Sequence, residues 1–132
     1  MTYRLFISHS WSYSDKYDGL IKLLNGAHNF EYFNHSVPKN DPVHSKTDRE
    51  LKEAIEAKMR GVSCVLILAG VYATYSKWIN IEIEIANDMN KPIIAIEYWG
   101  SERTSRTVKD NADKIVKWQT TSIVKAIQEL CR

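Results

Sequence analysis

The sequence predicts an α/β domain built on a five-stranded, doubly wound parallel sheet with helices on both faces. Three observations carry this. Three short apolar runs, YRLFIS (3–8), VSCVLILA (62–69) and PIIAIEYW (92–99), are each bounded by polar, Gly or Pro residues, and continuous runs of this length read as strands buried on both faces. Amphipathic helical patterns alternate with these runs, and strand–helix alternation argues for a parallel sheet joined by right-handed crossovers. Two weaker segments, FEYFN (30–34) and KIVKW (114–118), suit the edges of the same sheet and bring the strands to five.

The helices follow from spacing. Tyr17, Leu20, Ile21, Leu23 and Leu24 give the first an apolar face. Leu51, Ala54, Ile55 and Met59 recur at three-to-four spacing in the second, whose start Asp48 or Thr47 caps, with Glu50 in the first turn. The last runs from Ser122 to Leu130, with Ile123, Ala126, Ile127 and Leu130 on one side. The segment KWINIEIEIAND is ambiguous. Ile79, Ile81, Ile83 and Ile85 alternate with Asn80, Glu82 and Glu84, which taken alone is a strand. A strand there would stand directly before PIIAIEYW and break the βα rhythm. The helical reading places Trp78, Ile81, Ile85 and Met89 on one face, with Ser76 as cap, and is the one adopted. It leaves Glu82 close to Ile81, Ile85 and Ala86, where a partly desolvated carboxylate requires a structural partner or a functional reason.

Composition bounds the rest. A chain of 132 residues fits one domain, 1–132, with enough apolar residues (44%) for a core. The net charge of +2 comes from interleaved acids and bases, so no nucleic-acid partner is expected. No apolar run approaches a membrane span, and MTYRLFISHS is too short and too polar for a signal peptide. The two cysteines, Cys64 and Cys131, lie far apart in the chain. Cys64 reads as a small core residue and neither suggests a disulfide framework, which makes a reducing cytoplasm the default.

Ligands of open α/β sheets lie beyond the carboxyl ends of the strands. Four polar segments arrive there: 8–15, 34–46, 70–78 and 99–108, rich in His, Ser, Thr, Asn, Tyr and Trp. The five glycines form neither GxGxxG nor GxxxxGK[ST], and LILAG ends without the acid of a phospho-acceptor domain. No spacing resembles a zinc site, since a long loop separates the nearest pair, His35 and His44.

FISHSWSYSDKY after the first strand resembles the FISH-type opening of bacterial TIR domains, and YSKWINIEIEIA resembles the TIR segment of Ser, Trp and, four residues on, Glu: here Ser76, Trp78 and Glu82. NHSVPKNDP lies where TIR domains carry the loop after their second strand. From about residue 3 to 130 the chain is similar to the TIR-like family of bacterial antiphage systems, including the Thoeris proteins. Ile79 departs from the Cys often found after the Trp.

The resemblance implies a flavodoxin-like TIR fold and cleavage of the nicotinamide–ribose bond of NAD, with NAD as substrate rather than cofactor and with no metal. Glu82 matches the catalytic glutamate. It implies a linear or cyclic ADP-ribose-type signalling nucleotide, a separate effector protein that senses it, and self-association with other TIR domains through loop 34–46. Ser8 and His9 are then candidates to meet ribose or diphosphate, Trp11, Tyr72 and Trp78 to stack on a base, and Arg103 and Arg106 to meet phosphates. Each has a plainer reading: Glu82 as a salt-bridged helix acid, Trp78 as packing, His9 as a structural hydrogen-bonder, the arginines as a solvated loop. A non-enzymatic TIR module acting by self-assembly is the competing function.

Overall fold

The computed structural model describes residues 2–8, 14–35, 47–69, 77–97 and 106–131. In chain order the elements are β1 (Thr2–Ser8), α1 (Ser14–Asn25), β2 (Glu31–Asn34), α2 (Asp48–Met59), β3 (Cys64–Ala69), α3 (Lys77–Asp88), β4 (Ile93–Glu97), α4 (Arg106–Asn111), β5 (Lys114–Lys117) and α5 (Thr120–Leu130). The strands form one all-parallel sheet in the order β2-β1-β3-β4-β5. That is the flavodoxin-like doubly wound order, in which the chain reverses direction across the sheet between β1 and β3.

The three strong apolar runs became the three interior strands. Leu5, Phe6, Ile7, Val65, Leu66, Ile67 and Ile93 to Ile96 are buried, because helices cover both faces of the sheet. The two weaker segments became the edge strands β2 and β5, four residues each. Helices α2, α3 and α4 pack along one face, and α1 and α5 pack together against the other, as right-handed crossovers require when the chain winds both ways from β1.

Thr47, not Asp48, caps α2: its side chain accepts from the Glu50 backbone N–H. Residues 77–88 are helical, so the βα rhythm overrides the alternating pattern. Two glutamates record the difference. As a strand, Glu82 and Glu84 would share a face. As a helix they lie about 200° apart. Glu84 is exposed and pairs with Lys52 of α2 at 3.4 Å, whereas Glu82 is buried. The helix ends in a Schellman arrangement, with Asn90 left-handed at φ 55°, its N–H donating to Asn87 O and the Lys91 N–H donating to Ala86 O. Lys91 Nζ then donates to the Arg60 and Val62 carbonyls, tying this turn to the one before β3. The short helix α4 was not expected. It cuts the expected 99–108 loop short and is anchored by one fully buried residue, Val108.

The cysteines require a correction. Cys64 and Cys131 form a disulfide, with Cα atoms 5.4 Å apart across a sequence separation of 67. Cys64 opens β3, and Cys131 follows the last turn of α5. A helix that returns antiparallel to the strands ends at the amino edge of the sheet, where β3 begins. Sequence distance therefore said nothing about the pairing. It also removes the cysteine-based argument for a reducing compartment. No helix among the described residues is long and apolar enough to cross a membrane.

Closing a loop of this length by a disulfide is worth about 4 kcal/mol in the chain-entropy picture. Reductant is expected to lower the thermal midpoint of the wild type and to leave that of Cys131→Ala unchanged. Melting curves followed by circular dichroism, with and without dithiothreitol, measure this.

Candidate functional site

The site follows from where β1 stops and α3 starts. Ser8 is the last residue of β1, and it pairs with Ile67 of β3. It therefore stands at the carboxyl edge between β1 and β3, the switch point at which doubly wound sheets bind ligands. Helix α3 follows β3 and begins on that same edge. Its buried residues are Glu82, Ile83, Ile85 and Ala86, with Ile81 and Met89 partly buried, and Glu82, Ile85, Ala86 and Met89 keep the i, i+3, i+4, i+7 spacing of a core-facing helix. The expected face is kept at Ile81, Ile85 and Met89 and is widened toward Glu82, Ile83 and Ala86. As a result Glu82 occupies the stripe itself, at the end nearest the ligand edge.

Ser8 and Glu82 are the two buried polar side chains among the described core residues, at 1% and 6% exposure. Burial pushes the Glu82 carboxyl up from its ordinary value of 4.5 to about 8. Desolvation is the larger cause. The Ser8 hydroxyl, directed at the carboxyl, acts in the lowering direction. The contact is nevertheless incomplete. Among the described residues, neither Ser8 Oγ nor Glu82 Oε2 meets a hydrogen-bond partner. Two buried, facing, unsatisfied oxygens cost folding energy on the order of 1–3 kcal/mol each, and such atoms call for an explanation, of which a bound ligand is one. A third buried atom without a partner is His35 Nε2, just after β2. The sequence places His35 within segment 34–46 and in a rejected metal pair with His44, not among the named substrate contacts.

Of the other candidates, His9, Trp11, Tyr72, Ser76 and Arg103 lie outside the described residues. Trp78 takes the second position of α3 and Arg106 the first of α4, with their side chains outside the described set. Of loop 34–46, Asn34 and His35 are described. The site assembled here is therefore Ser8 and Glu82. No group of three or more His, Cys, Asp or Glu among the described residues is placed to hold a metal ion.

The arrangement offers a carboxyl pushed up to about 8 and a buried hydroxyl turned toward it, among buried apolar residues that keep the local dielectric low. Such a group can serve as an acid, a base or a stabiliser of positive charge.

Two solved structures share the fold. Clostridium botulinum CMP N-glycosidase, BcmB, superposes with a TM-score of 0.55 at 16% identity, over 96% of this chain and 98% of that one. A 3-dehydroquinate dehydratase-like protein from Bifidobacterium longum superposes with a TM-score of 0.51 at 9% identity, over 99% of this chain and 95% of that one. At these identities the likeness shows the α/β fold alone. No protein of curated function matches the chain in sequence. The family model described as Thoeris protein ThsB, TIR-like domain, matches residues 6–103, a stretch that runs from within β1 to beyond β4 and holds both Ser8 and Glu82. On that match over most of its length, the chain belongs to the Thoeris ThsB TIR-like family.

Proposed function

We propose that the protein cleaves the bond between nicotinamide and ribose in NAD and yields an ADP-ribose-type nucleotide, linear or cyclic, that serves as an antiphage signal to a separate effector. The observation that carries this reading is the buried Glu82 carboxyl facing Ser8 at the switch point, with its proton held to about pH 8. Membership of the Thoeris TIR-like family supports it, and so does the N-glycosidase among the proteins of similar fold.

The chemistry suits one carboxylate. As the C–N bond to nicotinamide breaks, its electron pair goes to the pyridinium nitrogen and nicotinamide leaves as a neutral molecule. No general acid is needed. The ribose carbon is left with oxocarbenium character, as in glycoside hydrolysis. Ionised Glu82 stabilises that charge in a site of low dielectric, where a fixed counter-charge acts most strongly. The unsatisfied Ser8 hydroxyl is placed to hold a ribose oxygen. Water then captures the ribosyl carbon and releases a proton to give ADP-ribose, or an adenine nitrogen captures it to give a cyclic product.

Without substrate, Glu82 is mostly protonated at neutral pH. A bound nicotinamide ring is cationic, and a cation beside a carboxyl lowers its pKa. Substrate therefore helps to generate the ionised form that acts on it.

Glu82→Gln keeps the shape and removes the charge. It is expected to lower nicotinamide release by at least about a hundredfold, read by chromatography at high protein concentration. Release by the variant equal to that of the wild type would overturn the assignment. For the wild type, log kcat/KM is expected to rise with pH, to bend near pH 8 and to level off about one unit above it, because that parameter reports the free protein. A profile flat from pH 6 to 9 would contradict an ionised Glu82 as the acting form. Stability gives an independent reading. The folded pKa lies above the unfolded one, so stability is full below about 4.5 and is lost as pH rises toward about 8, by about 1.4 kcal/mol per unit. Glu82→Gln does not titrate. Its melting temperature is expected to gain on the wild type steadily between pH 5 and 8, which also shows that lost activity is not lost folding.

A further inference from the structure

We propose that His35 is a third substrate-contacting residue of this site, its Nε2 bonding an oxygen of the sugar–phosphate part of the nucleotide; this rests on the cleavage reading above. Strand register places the residue. Arg4 pairs with Phe33 and Leu5 with Asn34, and the His35 N–H donates to Leu5 O at 2.8 Å, so the ladder runs one step further and sets His35 beside Phe6. Paired residues of parallel neighbours share a face, and so do residues two apart on one strand. His35, Phe6 and Ser8 therefore stand on the same face of the sheet. Ser8 meets Glu82 on that face, beneath α3. By strand spacing and rise, the Cα atoms of His35 and Ser8 are roughly 8 Å apart, close enough for both side chains to reach one small sugar.

The second observation is the ring itself. His35 Nε2 is buried, and no hydrogen bond satisfies it among the described residues. It shares that condition with Ser8 Oγ and Glu82 Oε2. Among the described residues, the three buried atoms without partners thus fall on one face, in the order His35, Ser8, Glu82 across β2, β1 and the middle of α3. An unpaired buried imidazole nitrogen is as costly as an unpaired hydroxyl, and one ligand lying across the crevice satisfies all three. Glu82 takes the cationic end of such a ligand. The atoms that extend past Ser8 toward β2 are then ribose hydroxyls and phosphates, and an imidazole nitrogen bonds these directly.

His35→Phe retains the ring and its burial without Nε2, while His35→Gln retains a polar atom near that position. We expect His35→Phe to raise KM for NAD about tenfold or more with kcat changed much less, and His35→Gln to recover most of the loss. With nicotinamide riboside, which lacks phosphates, the His35→Phe effect persists if the bonded oxygen is a hydroxyl and disappears if it is a phosphate. The second readout is the ring signal of His35 in the Glu82→Gln protein titrated with NAD, followed by nuclear magnetic resonance and assigned by its loss in His35→Phe. Movement of that signal on binding supports the contact even if the wild type releases no nicotinamide, in which case the cleavage reading alone falls. Nicotinamide release by the wild type with an unchanged KM in His35→Phe overturns the His35 contact alone. Neither binding nor release of any kind overturns both.

Discussion

The pairing of β1 with β3 is the constraint on which the rest of the molecule depends. Leu5 to Ser8 lie against Cys64 to Ile67, and every other element is placed relative to that ladder. Because the two strands are neighbours in space but not in sequence, the chain must leave β1 in one direction through α1 and β2 and return through α2 in the other. The two crossovers diverge at the carboxyl edge between β1 and β3, the place at which doubly wound sheets bind ligands. The parallel ladder also forces both faces of the sheet to be covered, so its interior residues are uniformly apolar until the strands end. Ser8 is where that apolar run stops in β1.

Glu82 is the residue that the fold accommodates at a cost. Ile83, Ile85 and Ala86, with Ile81 and Met89 partly buried, pack α3 into the core. Their packing holds position 82 in the core whether or not its side chain is content there. A carboxyl in that place is protonated at neutral pH because the alternative, a bare buried charge, costs more. The same low dielectric that raises its pKa makes its charge effective once a cationic ligand arrives. On the proposed cleavage, stability and function pull on this one group in opposite directions.

The opposite edge of the sheet carries the fastenings. Lys91 bridges two turns, Asp113 accepts from the Ile93 N–H at 2.7 Å, and the Cys64–Cys131 disulfide joins the end of α5 to the start of β3. These contacts lie at the amino ends of the strands, away from Ser8 and Glu82. The molecule thus separates what holds it together from what is left unsatisfied: covalent and polar ties at one end, three buried atoms without partners at the other.

What the sequence determined by itself is everything governed by local periodicity and by the order of elements. Continuous apolar runs gave the interior strands, the weaker FEYFN and KIVKW gave the edges, and the βα rhythm decided residues 77–88 where their own alternation pointed to a strand. The Ser76–Trp78–Glu82 spacing led to the family and to Glu82. Asn90 was a legible stop signal for α3 that the helical reading did not use. The short α4 was not legible, because one buried Val108 makes no period. Only the tertiary structure decided the rest. The Cys64–Cys131 pair depends on where α5 ends relative to β3, and the raised pKa of Glu82 depends on which side of α3 meets the sheet. The placement of His35 beside Ser8 depends on the β1–β2 register. Each is a distance between residues far apart in the chain, and such distances are set by packing and strand register, about which a local pattern carries no information.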